Sequence, residues 1–250
     1  MIAAELYTLR AHLGDEAAIA AGLRRVRDMG YEGVELAGLG PIAPARLAEL
    51  LRETGLSACS AHVPWERLRD QTDAVVEDCR AWGCTHVAVP FLAPEHRSAA
   101  GYARFAGDAS AVAARLREAG IRLAYHNHAF ELERYGHESG LEIIYRTGDP
   151  ALLHGQLDVY WVQYGGGSPA GWIRRLRGRA PTVHVKDMDV SDGEPVMAEV
   201  GEGNLDWPDV LAACRDAGVE WLIVEQDYCR RDPFESLAIS HRNLLALGAG

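Results

Sequence analysis

Residues 113–128, AARLREAGIRLAYHNH, join an amphipathic helical run to a glycine, a short apolar strand and a polar tip. A glycine at that junction is the usual helix C-cap, because it tolerates positive φ. The strand after it is too short and too continuously apolar for a half-exposed antiparallel strand, and suits a parallel sheet covered on both faces. The same unit recurs in LRRVRDMGYEGVELAG (23–38), LAELLRETGLSACSAH (47–62), EDCRAWGCTHVAVP (77–90) and LAACRDAGVEWLIVEQD (211–227). Its spacing is roughly 30 residues, the size of one βα unit. Less regular strands lie in AELYTLR (4–10), LLHGQLDVYW (152–161) and APTVHVKDMD (180–189), and SLAISHRNLLAL (236–247) is a closing helix.

Eight strands alternating with helices predict an α/β fold, a closed (β/α)8 TIM barrel occupying residues 1–250 as a single domain. An open doubly wound sheet would place a G-x-G-x-x-G turn after its first strand, and none occurs there. The formal net charge of −11 argues against a nucleic-acid surface, which needs clustered Lys and Arg. The start of the chain has no basic region followed by an apolar run, and no apolar stretch approaches the roughly 20 residues of a membrane span. Five cysteines without a C-x-x-C pair predict free thiols and a cytoplasmic protein.

Barrel enzymes carry their chemistry where strands end. Ionisable residues gather there: Glu35, His62, then His126, His128 and Glu131, then Asp158, His184, Lys186, Glu225 and Asp227. One polar strand end is commonly a satisfied core group, but six converging on one rim would repel unless something positive lay among them. A divalent cation is the simplest such object. Side chains two apart on a strand share a face, so Gln156 with Asp158 and His184 with Lys186 can point inward together. Mixed oxygen and nitrogen ligands suit Mn²⁺ best, with Mg²⁺, Co²⁺ or Zn²⁺ also compatible.

HNHAFE (126–131), QLDVYW (156–161), VHVKDMD (183–189), GEGNLDW (201–207) and LIVEQD (222–227), in that order, resemble the sugar-phosphate isomerase/epimerase group of the xylose isomerase-like TIM barrels. Ketose 3-epimerases, inosose dehydratase and endonuclease IV belong to the same superfamily. The resemblance implies a divalent ion held by Glu131, Asp158, His184 and Glu225. Several relatives carry the first glutamate inside strand five, where this chain has His126, so His126 is the alternative ligand. It implies an isomerase or epimerase of a sugar or sugar phosphate that transfers a proton next to a carbonyl through an enediolate. Glu131, Glu225, His126, His128 and Lys186 are the catalytic candidates. With histidine replacing a glutamate on strand five, the alternative is a lyase or dehydratase acting on a keto-cyclitol or a 3-keto sugar or glycoside. A non-catalytic sugar-binding protein is the reading from another class.

Lys186 is the only lysine among 25 Lys and Arg, so the other 24 are arginine. A lysine kept where arginine serves everywhere else suits a compact charge that can give up a proton; the bland reading is a surviving ion pair. Glu35, His62, Trp65, Trp161 and Arg10 are candidate substrate contacts, although large aromatics near a barrel mouth are as often packing. The glycines of GEGNLDWPDV (201–210) could let that loop close over substrate. YGGGSP (164–169) could cradle a phosphate but reads first as a flexible connection. The partner expected is a small sugar or cyclitol, not nucleic acid or membrane. A homodimer is compatible with the sequence but not fixed by it.

Overall fold

A computed structural model describes residues 1–249. Eight parallel strands form a closed barrel in chain order: β1 (Ile2–Glu5), β2 (Gly33–Leu36), β3 (Ser57–His62), β4 (His86–Val89), β5 (Arg122–His126), β6 (Leu153–Asp158), β7 (Thr182–Val185) and β8 (Trp221–Val224). The ring closes where β8 pairs with β1, Leu222 opposite Ile2. Helices between the strands cover the outside, as the repeat predicted. The glycines read as helix stops, Gly30, Gly55, Gly83, Gly120 and Gly218, all have positive φ.

The outer core lies between strands and helices, where Leu23, Leu47, Leu116, Ile173 and Leu237 are buried. Inside the barrel the lower end is filled by a small group, Ala3, Cys59, Trp221 and Ile223. The Trp221 ring crosses to β2, where a Cβ on Gly33 would sit 2.9 Å from its Cζ3 and 3.0 Å from the Ser57 carbonyl. With that end plugged by apolar atoms, the polar residues of the opposite end are left facing one another. No described helix is long and apolar enough to cross a membrane.

The segment after β7 is fixed by one carboxylate. Asp187 is fully buried and accepts N–H groups from Met188, Gly201, Gly203 and Leu205, and the indole N–H of Trp207. This corrects the expectation of a glycine-hinged lid over 201–210: the loop's amides are tied down. A Cβ at Gly203 would meet Asp187 Oδ1 at 2.4 Å, so that glycine serves close approach.

Candidate active site

Each barrel strand delivers its side chains to the carboxyl end with period two, so a polar residue at a strand tip faces the axis or the cleft above it. Glu5 comes from β1, Glu35 from β2, His62 from β3 and His126 from β5. Gln156 and Asp158 come from β6 and His184 from β7, while Lys186, Glu225 and Asp227 lie just beyond β7 and β8. A cleft of about 480 Å³ opens above them, its lining including Glu5, His62, His126, His128, Glu225 and Asp227.

Beneath the cleft the groups are tightly linked. His184 Nε2 lies 2.6 Å from Glu35 Oε2, and its Nδ1 lies 2.8 Å from Glu225 Oε2. Gln156 spans the barrel interior: its Nε2 donates to Glu35 Oε1 at 2.7 Å, and its Oε1 meets His62 Nε2 at 2.8 Å. The other His62 nitrogen is 3.1 Å from Glu5 Oε1. Lys186 Nζ sits among three acids, at 2.6 Å from Glu225, 2.8 Å from Asp227 and 3.0 Å from Asp158.

These contacts divide the protons unequally. Burial pushes Glu5 up to about 8, with the neighbouring Glu225 charge adding to it, so Glu5 holds a proton at neutral pH. Burial alone would raise Glu35 too, but His62 and His184 outweigh it and bring Glu35 down to about 2. His62 shows the reciprocal effect: against burial, Glu35 and Glu5 lift it to about 9. Burial raises Asp158 to about 6 although Lys186 opposes it. Glu225 is held well below the usual carboxylate range by Lys186 and His184, against burial. His126 is pushed far down by burial and by the other imidazoles, so its ring stays neutral.

Four donors, from His126, Asp158, His184 and Glu225, lie within 4.8 Å of one another. Two of these residues have buried atoms without a hydrogen-bond partner, His126 Nδ1 and Asp158 Oδ2; Lys186 lies near the latter but is not aligned as a donor to it. A divalent cation requires neutral imidazoles and carboxylates with free lone pairs; His126 is held neutral, whereas His184, raised well above the usual imidazole range by Glu35 and Glu5 against burial, would release a proton on binding the ion. The donor set therefore fits the ion expected from the sequence.

Glu131 stands apart from that group. It is fully buried, but its carboxylate accepts from the Tyr125 hydroxyl and, at 2.8 Å, from the His128 N–H. Burial holds it up at about 7 despite those bonds. The structure thus brings the alternative strand-five residue, His126, to the other three donors and turns Glu131 into the wall behind His128. Trp65 is also elsewhere, buried edge-on against Phe105 at 5.0 Å in the outer core. Arg10 donates to the Tyr7 and Asp227 carbonyls and lines a smaller neighbouring cleft. Trp161 is beside the site, its ring 5.8 Å from Lys186 Nζ and 5.4 Å from the His128 ring. Glu5 was not among the sequence candidates; its signal was a lone acid ending an apolar strand, IAAE.

The fold is a closed (β/α)8 barrel with candidate metal-ligating residues gathered at its rim, and comparison with known proteins gives its family. The chain belongs to the xylose isomerase-like TIM barrel family, whose model matches residues 23–244. It is 26% identical over 280 residues to the rhizopine catabolism protein MocC of Rhizobium meliloti, covering 95% of this chain and 84% of that protein. A sugar phosphate isomerase/epimerase structure from Parabacteroides distasonis superposes with a TM-score of 0.83 at 21% identity, over 98% of this chain and 97% of that one. An L-ribulose 3-epimerase structure superposes with a TM-score of 0.74 at 18% identity, over 99% and 94%.

Proposed function

We propose that this chain, acting as one barrel domain, is a divalent-metal-dependent isomerase or epimerase of a keto sugar or keto-cyclitol. The observation that carries the reading is the convergence of His126, Asp158, His184 and Glu225 beside Lys186 at the floor of the cleft. A cation held by those four would polarise a carbonyl and acidify the adjacent C–H bond; Mn²⁺ suits the mixed nitrogen and oxygen donors. Glu225, kept ionised and lining the cleft, takes the proton from carbon. Lys186 Nζ stands against the same carboxylate and stabilises the negative charge that develops on oxygen. Glu5, protonated and with Oε2 lacking a hydrogen-bond partner, stands beside Glu225 on the adjoining strand and returns a proton from that same side. Return to the neighbouring carbon gives isomerisation; epimerisation needs a proton delivered to the other face, by a group across the cleft from Glu5 and Glu225.

The test is exchange of substrate α-protons with D₂O, followed by NMR, in wild type and Glu225→Gln. Exchange with a keto sugar or keto-cyclitol that disappears in the variant supports the reading; wild type that exchanges none of them contradicts it. One observation favours a second reading, elimination: histidine rather than glutamate stands at the end of β5, next to His128, whose Nδ1 is buried and unpartnered. His128, kept neutral by burial and by Lys186, would then hydrogen-bond the leaving β-hydroxyl while the protonated Glu5 supplies its proton, and water would be expelled during turnover. The five cysteines are unpaired, which accords with action in a reducing cytoplasm. A homodimer remains the assembly to test.

A further inference from the structure

We infer that the substrate is an uncharged polyhydroxy ketone or aldehyde, a free sugar or cyclitol, and not a phosphate ester. This rests on the proton-transfer reading and narrows it. Phosphate in a barrel of this kind is normally met at the rim after the last two strands, by backbone N–H groups at loop turns and helix starts. Here those donors already serve carboxylates of the chain itself. After β7, Asp187 accepts from Gly201 at 2.9 Å and from Gly203 and Leu205 at 3.1 Å. After β8, the helix Pro233–Ala246 begins under Asp232, whose Oδ1 accepts from Phe234 at 2.9 Å and Glu235 at 3.3 Å. The three glycines at 165–167, the other candidate cradle, donate to the carbonyls of Trp161, Gln163 and Val162.

The cations near the rim are committed as well. Arg10 holds two carbonyl oxygens, and Arg97 donates to Leu92 O with its guanidinium 3.6 Å from the Phe130 ring. Lys186 is enclosed by three acids. The cleft lining contains three acids and three histidines but, among the described residues, no lysine or arginine. A phosphoryl group would bring a charge of about −1.5 to −2 into that acid-rich lining, where the one cationic side chain among the described residues, His62, already faces Glu5 at 3.1 Å and Glu35 at 3.3 Å. The remaining wall suits a neutral ring. Tyr7, Pro64, Pro90 and Phe91 offer apolar faces, and Trp161 Nε1 and His128 Nδ1 are unpartnered polar atoms beside them.

The experiment compares D-fructose, D-psicose and an inosose with fructose 1-phosphate, fructose 6-phosphate and psicose 6-phosphate on the Mn²⁺-loaded protein. Binding is read by calorimetry and α-proton exchange by NMR, with inorganic phosphate as competitor. At least one free sugar or cyclitol should bind tenfold or more tightly than every ester, a difference of about 1.4 kcal/mol, and inorganic phosphate should not displace it. Tighter binding or faster exchange of an ester, or displacement by phosphate, overturns the inference and leaves the isomerase reading standing. Binding of a free sugar without exchange supports the inference and removes the proton-transfer reading. Binding of neither class overturns both.

Discussion

Replacing Lys186 with methionine removes the one side-chain ammonium in the chain while keeping much of its apolar length. In the metal-free protein this leaves Glu225, Asp227 and Asp158 facing the vacated position from 2.6, 2.8 and 3.0 Å, with Glu225 and Asp158 fully buried. Removing one partner of a buried ion pair costs about 3–5 kcal/mol, because the remaining charge is left uncompensated. At roughly 2–4 °C per kcal/mol for a chain of this size, Tm should fall by about 6–20 °C at pH 7. The loss should shrink as pH falls through about 6, where Asp158 takes up a proton and no longer needs the ammonium. Saturating Mn²⁺ should recover part of it by restoring positive charge among the same acids. The assay is thermal unfolding of chelator-treated wild type and Lys186→Met at pH 5 and 7, with and without Mn²⁺. A chelator-treated variant within about 2 °C of wild type at pH 7 would refute the ion-pair reasoning.

Glu35→Gln loses the charge that holds His184 Nε2 at 2.6 Å, so Mn²⁺ affinity should drop about 10- to 100-fold in a chelator competition; unchanged affinity would count against Glu35 as the group orienting that imidazole. His86 lies at the opposite end of the barrel, where burial first and Arg122 second lower it to about 4. The unfolded chain therefore binds its proton more readily, so stability should decline between pH 6.5 and 4, by up to about 3 kcal/mol. His86→Gln should flatten urea-denaturation stability over that window, and an unaltered slope would contradict the assignment. Gly33→Ala forces a methyl against Trp221 and the Ser57 carbonyl, and should destabilise by about 1–3 kcal/mol in the same assay; a neutral effect would mean that the plug of the barrel can shift.

The fold was legible because each βα unit carries its own punctuation. Gly55, Gly83, Gly120 and Gly218 end helices at predictable places, and the apolar runs after them can only be parallel strands. Strand tips were legible for the same reason: a polar residue closing an apolar run, such as Glu35, His62, Asp158 or His184, has nowhere to point but the rim. Beyond a strand tip the information ends. Glu131 follows His126 by five positions, and only the short turn Phe130–Leu132 decides that its carboxylate folds back onto Tyr125 and the His128 N–H. Trp65 begins a short helix, Trp65–Asp70, whose period is too brief to reveal a buried face. The purpose of Asp187 is also invisible in sequence, since apart from Met188 the amides it gathers come from 14 to 18 residues downstream.

Metal content therefore separates the two strand-five candidates and tests the account at its centre. Wild type, His126→Ala and Glu131→Gln would each be purified, loaded with Mn²⁺, freed of excess and measured by elemental analysis beside a circular dichroism spectrum. A bound ion is expected in wild type and in Glu131→Gln, and its loss in a folded His126→Ala, because His126 and not Glu131 faces Asp158, His184 and Glu225. An ion retained in His126→Ala and lost from a folded Glu131→Gln would contradict it.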